Sequence, residues 1–145
     1  MSVLDIIKNL KISELITVKI SHDLAGAVGA VSNGLELALS DDEFVKDAMN
    51  LASKSADIVV SRLKFYRLLF GSSNSGLMEL PLVKGITEDY LKSLSNKSSQ
   101  IGLDWQAESF MSEDDVRICL LLISIASENL VRGGEIKITN EKIIV

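Results

Sequence analysis

The chain has 145 residues, which fits one ordinary domain or two small ones. It carries 15 basic and 20 acidic residues, so its formal net charge is −5 and it lacks the broad basic surface of nucleic-acid-binding proteins. Nearly half of the residues are apolar but only 5% are aromatic, a balance that favours packed helices with an aliphatic core.

Cysteine usage and hydropathy exclude several further classes of protein. The single cysteine, Cys119, lies in the apolar run 118–122 and is expected to be a buried thiol. One cysteine cannot form an internal disulfide, and with one histidine it argues against a metal site of the zinc type. No signal-peptide pattern opens the chain, and no apolar stretch reaches the ~18 residues needed to span a bilayer. We therefore expect a cytoplasmic protein without a membrane segment.

The first half of the sequence predicts two long helices within residues 13–70, where proline is absent. The break falls at residues 39–43, where Ser40 and Glu43 have capping-box spacing, so the second helix is expected to begin near Asp41. A short link between long helices makes an antiparallel hairpin. The Gly- and Ser-rich run 71–76 then predicts a loop.

The second half mixes helices and strands. It predicts a short helix over 87–94, a strand over 101–105, a helix that starts at 112–115 and stops before Gly133, a strand over 135–139 and a last strand over 143–145. The fold class expected is α+β, with a helical hairpin over 1–72 and a second, smaller α/β domain over 77–145.

A wide apolar band on the second helix indicates self-association. The band comprises Phe44, Val45, Ala48, Leu51, Ala52, Ala56, Val59, Leu63, Tyr66 and Phe70. Because a hairpin of two helices cannot bury this band by itself, we expect two copies to pair into a four-helix bundle, which makes the protein a homodimer.

The only histidine, His22, is predicted to point away from the packed side of the first helix. At 100° per residue, one apolar stripe contains Ile16, Ile20, Leu24, Ala27, Val31, Leu35 and Ala38. His22 lies close to the opposite side, together with Gly26, Gly29, Asn33 and Glu36, and with Lys19 at one edge. The histidine should therefore project from a surface with almost no side chains beside it.

Glycine within a helix costs on the order of 1 kcal/mol relative to alanine, so this smooth surface needs a reason. A phosphotransfer histidine supplies one, because its ring nitrogen must meet an aspartyl phosphate at close range and neutral imidazole is a competent nucleophile near pH 7. The plainer alternatives are an inert surface histidine and glycines that permit close helix packing. Packing suits Gly34, near the apolar stripe, better than Gly26 or Gly29.

The run Ile-Ser-His-Asp-Leu-Ala-Gly-Ala-Val-Gly-Ala-Val-Ser-Asn-Gly-Leu-Glu-Leu, residues 20–37, resembles the histidine phosphotransferase family of alphaproteobacteria, the ChpT type. The family pattern is roughly His-Asp-Leu, two small residues, Pro-Val-Gly-Ala and then Asn-Gly-Leu-Glu. Ala27 stands where the family usually has proline, and Ser32 where it often has a first asparagine. Looser likeness continues at residues 103–105, 116–122 and 132–134.

The resemblance implies a dimeric hairpin bundle followed by a degenerate kinase-like ATPase domain, which here is either naturally short or truncated. It implies that His22 shuttles phosphate between receiver domains of hybrid kinases and response regulators. Asp23 would orient nearby groups, Lys19 would offset phosphate charge, and Gly26, Gly29 and Asn33 would form the docking surface. No cofactor is expected in this chain, since the Mg²⁺ would sit in the partner receiver.

Two other functions stay open at the level of sequence. One is a non-catalytic dimeric adaptor that occupies receiver domains. The other is a residual ATP-dependent histidine kinase. Against the kinase, Ile125 falls where a magnesium-binding asparagine is expected and Asn129 lies about one turn away. The chain also has no Asp-x-Gly-x-Gly run and ends at Val145, soon after the first strands of such a domain.

Overall fold

The computed structural model describes residues 2–40, 43–71, 78–96, 98–106, 112–139 and 143–144. In chain order these residues form α1 (Val3–Ser40), α2 (Val45–Phe70), α3 (Leu80–Leu94), β1 (Ile101–Trp105), α4 (Glu113–Asn129), β2 (Gly134–Ile138) and β3 (Ile143–Ile144). The predicted α+β class is confirmed. Within these ranges no helix combines the length and the apolar character needed to cross a membrane.

The start of α1 lies ten residues earlier than the sequence predicts. Ser2 and Asp5 explain the early start, because the Asp5 amide donates to Ser2 Oγ at 3.2 Å and the Ser2 amide donates to Asp5 Oδ2 at 2.9 Å. These reciprocal bonds satisfy amides that a helix start leaves without partners. The sequence pattern alone did not reveal this cap.

The capping box predicted at Ser40 is wrong. Ser40 is the last residue of α1, and its hydroxyl donates back to the Leu37 carbonyl at 3.1 Å instead of accepting from the next helix. Serine hydroxyls often satisfy a carbonyl of the preceding turn in this way. The helix α2 begins at Val45, and the predicted start at Asp41 lies outside the described residues.

Contacts divide the chain into two compact units, Met1–Val60 and Ser61–Val145, which we call the hairpin unit and the sheet unit. The last ten residues of α2 belong to the sheet unit. The predicted domain boundary between residues 72 and 77 lies outside the described residues.

Small residues hold α1 against α2 in the hairpin unit. Gly34, near the end of α1, is buried, and a Cβ placed on it would lie 2.9 Å from the Ala48 carbonyl oxygen and 3.0 Å from the Ala52 Cβ. Both alanines are in the first two turns of α2, so the two helices run antiparallel. Only glycine permits this close approach, which confirms the packing role considered for Gly34.

The sheet unit is built around a three-stranded sheet with the order β1-β2-β3. The strands β1 and β2 are parallel and joined through α4, and β3 is antiparallel to β2. Ser112 caps α4 as predicted, since its hydroxyl accepts from the Asp115 amide at 3.1 Å. Gly133 ends the following turn with φ +86°, where a side chain would collide with the Gln100 backbone.

Aliphatic and aromatic side chains fill the core of the sheet unit. The rings of Phe65 and Tyr90 stack with centroids 3.8 Å apart. A hydrogen bond from Arg62 Nη2 to the Ser93 carbonyl, 2.9 Å long, also joins α2 to α3. The buried set comprises Phe65, Tyr66, Leu69, Val83, Tyr90, Leu91, Val116, Cys119, Leu120, Ile123, Ile136 and Ile138. This part of the chain therefore buries a core of its own.

Candidate functional site

His22 projects into solvent from the middle of α1. Its side chain is 89% exposed, whereas Ile20 and Leu24 on the predicted apolar stripe are partly covered. The helical phase derived from the sequence is thus confirmed at this position. An imidazole held on a regular helix with open space around it can be reached by a reacting group on another molecule.

The surface beside His22 has the predicted smoothness. A Cβ added at Gly26 or at Gly29 would meet no heavy atom of the described residues within 4 Å apart from its chain neighbours and the adjoining helix backbone, so packing among these residues explains neither glycine. Asn33, one turn beyond Gly29, is also exposed. His22, the two glycines and Asn33 therefore lie along one open face of α1.

Asp23 lies between the histidine and a cation. Its Oδ2 accepts from Lys19 Nζ at 3.0 Å, and its Oδ1 lies 3.6 Å from His22 Nδ1. The latter distance is slightly beyond a hydrogen bond, so the relation between carboxylate and ring is electrostatic. The Asp23 side chain is only 16% exposed, and this limits the screening of its charge by water.

The three residues Lys19, His22 and Asp23 were all predicted for the site, but the ion pair between Lys19 and Asp23 was not. The sequence spacing could have predicted this ion pair, because oppositely charged residues four apart on a helix lie on the same side of it. The pair leaves Asp23 Oδ1, the second carboxylate oxygen, directed toward Nδ1 of the imidazole. Of the two ring nitrogens, Nδ1 is the one that lies 3.6 Å from this carboxylate.

Ile125 and Asn129, which the sequence analysis compared with a kinase's magnesium-binding position, lie on α4, in the sheet unit. Ile125 is exposed, and Asn129 Nδ2 donates to the Ile125 carbonyl at 3.0 Å, which ties the amide to its own helix. Among the described residues there is no group of three or more His, Cys, Asp or Glu side chains that could hold a metal ion.

Comparisons with protein families and with known proteins each found a match to this chain. Residues 84–143 match the family described as the histidine phosphotransferase C-terminal domain. The chain is 28% identical over 134 residues to the protein phosphotransferase ChpT of Brucella abortus (strain 2308). The predicted resemblance to ChpT-type histidine phosphotransferases is confirmed.

A solved structure, described as a 1.7 Å structure of a bacterial phosphotransferase, has the same fold as this chain, with a TM-score of 0.71 and 23% sequence identity. The alignments cover 91% and 99% of this chain but 62% of the Brucella protein and 66% of the solved structure. This chain thus spans about two thirds of the length of either relative.

Proposed function

We propose that the protein is a histidine phosphotransferase of a two-component phosphorelay, with His22 as the residue that carries the phosphoryl group. The observation that carries the proposal is the 89% exposed imidazole beside Asp23, on a helix face cleared by two glycines. The match of residues 84–143 to a histidine phosphotransferase domain supports the same function.

In the proposed reaction, the lone pair of His22 Nε2 attacks the phosphorus of an aspartyl phosphate. The N–P bond forms as the P–O bond to the aspartate breaks, and the electron pair of that bond leaves with the carboxylate. The ring becomes a phosphorylated imidazolium whose proton stays on Nδ1. Asp23 faces that nitrogen at 3.6 Å and stabilises the positive charge. The reverse step passes the group to a second aspartate.

The partners proposed are receiver domains of hybrid kinases and response regulators, which would also hold the Mg²⁺ that their phosphorylation chemistry needs. Gly26, Gly29 and Asn33 would let the partner's backbone approach the ring, and Lys19 would favour the incoming phosphate. Such partners act in the cytoplasm, where we place this protein. No cofactor is assigned to the chain itself.

Self-association is part of the proposal. Of the 38 residues of α1, Gly34 alone is buried in one copy of the chain, and large apolar side chains along the helix, such as Leu15, Val28 and Leu35, are 44–63% exposed. A second hairpin that covers them would complete a four-helix bundle.

The sheet unit would correspond to a degenerate kinase-type ATPase domain, since Ile125 occupies the position expected for a magnesium ligand.

A labelled transfer assay tests the proposed function. A receiver domain from a hybrid kinase of the same organism is phosphorylated with ³²P by its own kinase domain, freed of ATP and mixed with the full chain. We expect label on the wild-type protein, stable in alkali and lost in acid as for phosphohistidine. None is expected on His22→Ala, while Ser21→Ala, at the exposed neighbouring position, should still be labelled.

The two alternatives predict different outcomes in the same experiment. A non-catalytic adaptor would bind the receiver without acquiring label, and label that appears equally on His22→Ala would place the acceptor elsewhere. A residual kinase would label His22 from ATP and Mg²⁺ without a receiver. Any of these three results would contradict the proposed relay.

The effect of Asp23 on the imidazole can be measured on the chain alone, because the chain has one histidine. ¹⁵N NMR of the imidazole reports which ring nitrogen carries the proton. We expect the wild type to favour Nδ1–H and Asp23→Asn to lose part of that preference. We also expect transfer to slow about tenfold or more in this variant, because the carboxylate no longer offsets the imidazolium charge. Unchanged tautomer populations would remove Asp23 from the site.

A further inference from the structure

The sheet unit contains a cavity that none of the residues assigned to phosphotransfer enters. Its volume is about 410 Å³, within the usual range for small-molecule sites. One wall comes from the end of α2 and Gly71, and the other from Met78 and the first two turns of α3. The lining residues are Lys64, Arg67, Leu68, Gly71, Met78, Leu82 and Ile86.

The cavity is cationic in an otherwise acidic protein. Among the described residues that line it, Lys64 and Arg67 are the charged ones, and neither has a carboxylate of the described residues within 4.0 Å. Arg62, on the same stretch of helix, differs because its guanidinium is bound to Ser93. Two cations one turn apart, without acidic partners, favour an anion.

The other described residues with side chains in the lining are apolar. Leu82 is 57% exposed although it lines a concave surface, and Leu68, Met78 and Ile86 are each only partly covered. Burial of such side chains against a ligand is favourable because it removes apolar surface from water. The thioether of methionine adapts to an irregular apolar ligand. Two cations beside four apolar side chains match a molecule with an anionic head and an aliphatic tail.

The size of the cavity favours a small molecule over a protein segment. Its volume of about 410 Å³ lies in the range of small-molecule sites, whereas an amphipathic helix needs a continuous groove. A single aliphatic tail with one charged end is small enough for this volume.

We propose that this cavity binds a straight-chain amphiphilic anion, either a carboxylate or a phosphate monoester. The head would lie between the Lys64 ammonium and the Arg67 guanidinium, and the tail would lie against Leu68, Leu82 and Ile86. The ligand is held by the sheet unit alone, so the site does not depend on the proposed role of His22.

Calorimetric titration of the full chain tests the proposal with four probes that share a ten-carbon tail, used below their micelle concentrations. They are decanoate, decyl phosphate, decanol and decyltrimethylammonium. We expect saturable binding of one or both anions, at least tenfold tighter than of the alcohol or the cation. If both anions bind, their ratio tells whether a carboxylate or a phosphate head fits better.

Variants locate the site. Lys64→Gln with Arg67→Gln should weaken binding of the anion at least tenfold, and Leu82→Ser should weaken it with the charges intact. Lys46→Gln with Lys54→Gln removes the same charge from exposed positions of the same helix and should leave the affinity unchanged. Circular dichroism checks that each variant is folded.

The proposal fails if neither anion binds, or if the cationic probe binds as tightly as the anions. It also fails if the control variant weakens binding as much as the cavity variant does. Vesicles of phosphatidylglycerol are a further probe, and binding to these vesicles without binding of the free anions would indicate a membrane surface. If an acidic amphipathic peptide binds through Lys64 and Arg67 while the ten-carbon anions do not, the surface belongs to a protein partner.

Discussion

The hairpin unit and the sheet unit differ in the size of the side chains that they bury. Buried residues of the hairpin unit are small, as Gly34, Ala48 and Ala52 show, and many of its larger aliphatic side chains lie at the surface. The sheet unit instead buries large side chains, among them Phe65 and Tyr90, although α4 also exposes an apolar stripe of Ile118, Leu121, Leu122 and Ile125. The sheet unit thus has a core of its own, whereas the hairpin unit exposes apolar surface that a second molecule could cover.

This difference matches a division of labour. The hairpin unit also presents His22, so the contacts proposed with a second copy and with a receiver would both use this unit. The sheet unit contains the matched family domain, residues 84–143. Substitutions in the core of the sheet unit should therefore alter stability, whereas substitutions on the surface of the hairpin unit should alter recognition.

The largest effect is expected in the core of the sheet unit. Phe65 is fully buried and stacked on Tyr90, so Phe65→Ala removes a large side chain that its neighbours cannot replace. We expect the free energy of unfolding to fall by about 3–5 kcal/mol. Urea titration measures it, and the loss should be the same at low and high protein concentration.

Leu63→Ala is the matched control, since Leu63 is 42% exposed and lies only two residues away on the same helix. Its cost should stay below about 1 kcal/mol at concentrations where the protein is monomeric. Equal losses for the two variants would mean that the sheet unit has no closed core.

The next largest effect concerns self-association of the hairpin unit. Val28→Glu with Leu35→Glu places charges on aliphatic positions that are 52% and 44% exposed in one copy of the chain. If a second copy covers them, the dimer dissociation constant should rise at least about 100-fold, which equals about 2.7 kcal/mol. Sedimentation across a concentration series gives the constant for each variant.

Asn50→Glu, at an exposed polar position of α2, should leave the same dissociation constant unchanged. A wild-type protein that remains monomeric at micromolar concentration would contradict the proposed bundle. So would a dimer that tolerates both glutamates.

A smaller effect separates the two kinds of glycine on α1. Gly34→Ala would push a methyl group against the Ala48 carbonyl and Ala52, and we expect a loss of about 2 kcal/mol. Gly29→Ala faces open space and should stabilise the helix by about 0.5–1 kcal/mol. Thermal unfolding distinguishes the two signs.

In the transfer assay, Gly29→Ala should nevertheless slow labelling of His22, because the added methyl group lies where a receiver is proposed to dock. If this variant is both more stable and equally fast, the smooth surface has no role in docking.

The smallest effect is a pH dependence within the sheet unit. Burial raises the pKa of the Cys119 thiol from 9.0 to about 11. Above pH 9 the unfolded chain loses this proton while the folded chain keeps it, so the unfolded state is favoured and stability falls as the pH rises toward 11. The expected loss from this group is about 1.4 kcal/mol at pH 10.

Cys119→Ala should remove this portion of the alkaline loss, and the difference between the two stability curves isolates it from the titration of lysines. Parallel curves between pH 8 and pH 11 would show that the thiol is not shielded from water.

Periodicity predicted the regular parts of the fold well. The strand at 101–105 and the Ser112 cap were found as predicted, because alternation and local hydrogen bonds are written into adjacent residues. The start of α1 was missed, and the capping role predicted for Ser40 was wrong. At both places a serine side chain can bond either forward or backward, and only the surrounding chain decides which bond forms.

For the site, helical phase was sufficient to place His22 and both glycines on one open surface. The contact of Gly34 with α2 followed from its position near the apolar stripe. The cationic cavity could not be predicted, because Lys64 and Arg67 meet Leu82 and Ile86 only after α2 and α3 have packed. Residues brought together by tertiary packing leave no periodic trace in the sequence.

The exposure of His22 also has a consequence in time. If His22 carries a phosphoryl group as proposed, a side chain that is 89% exposed would hold that group where hydrolysis competes with onward transfer. The lifetime of the group would then depend on how soon an acceptor arrives. Such a carrier would keep no record of past stimulation, and its phosphorylated fraction would follow the current balance of donors and acceptors.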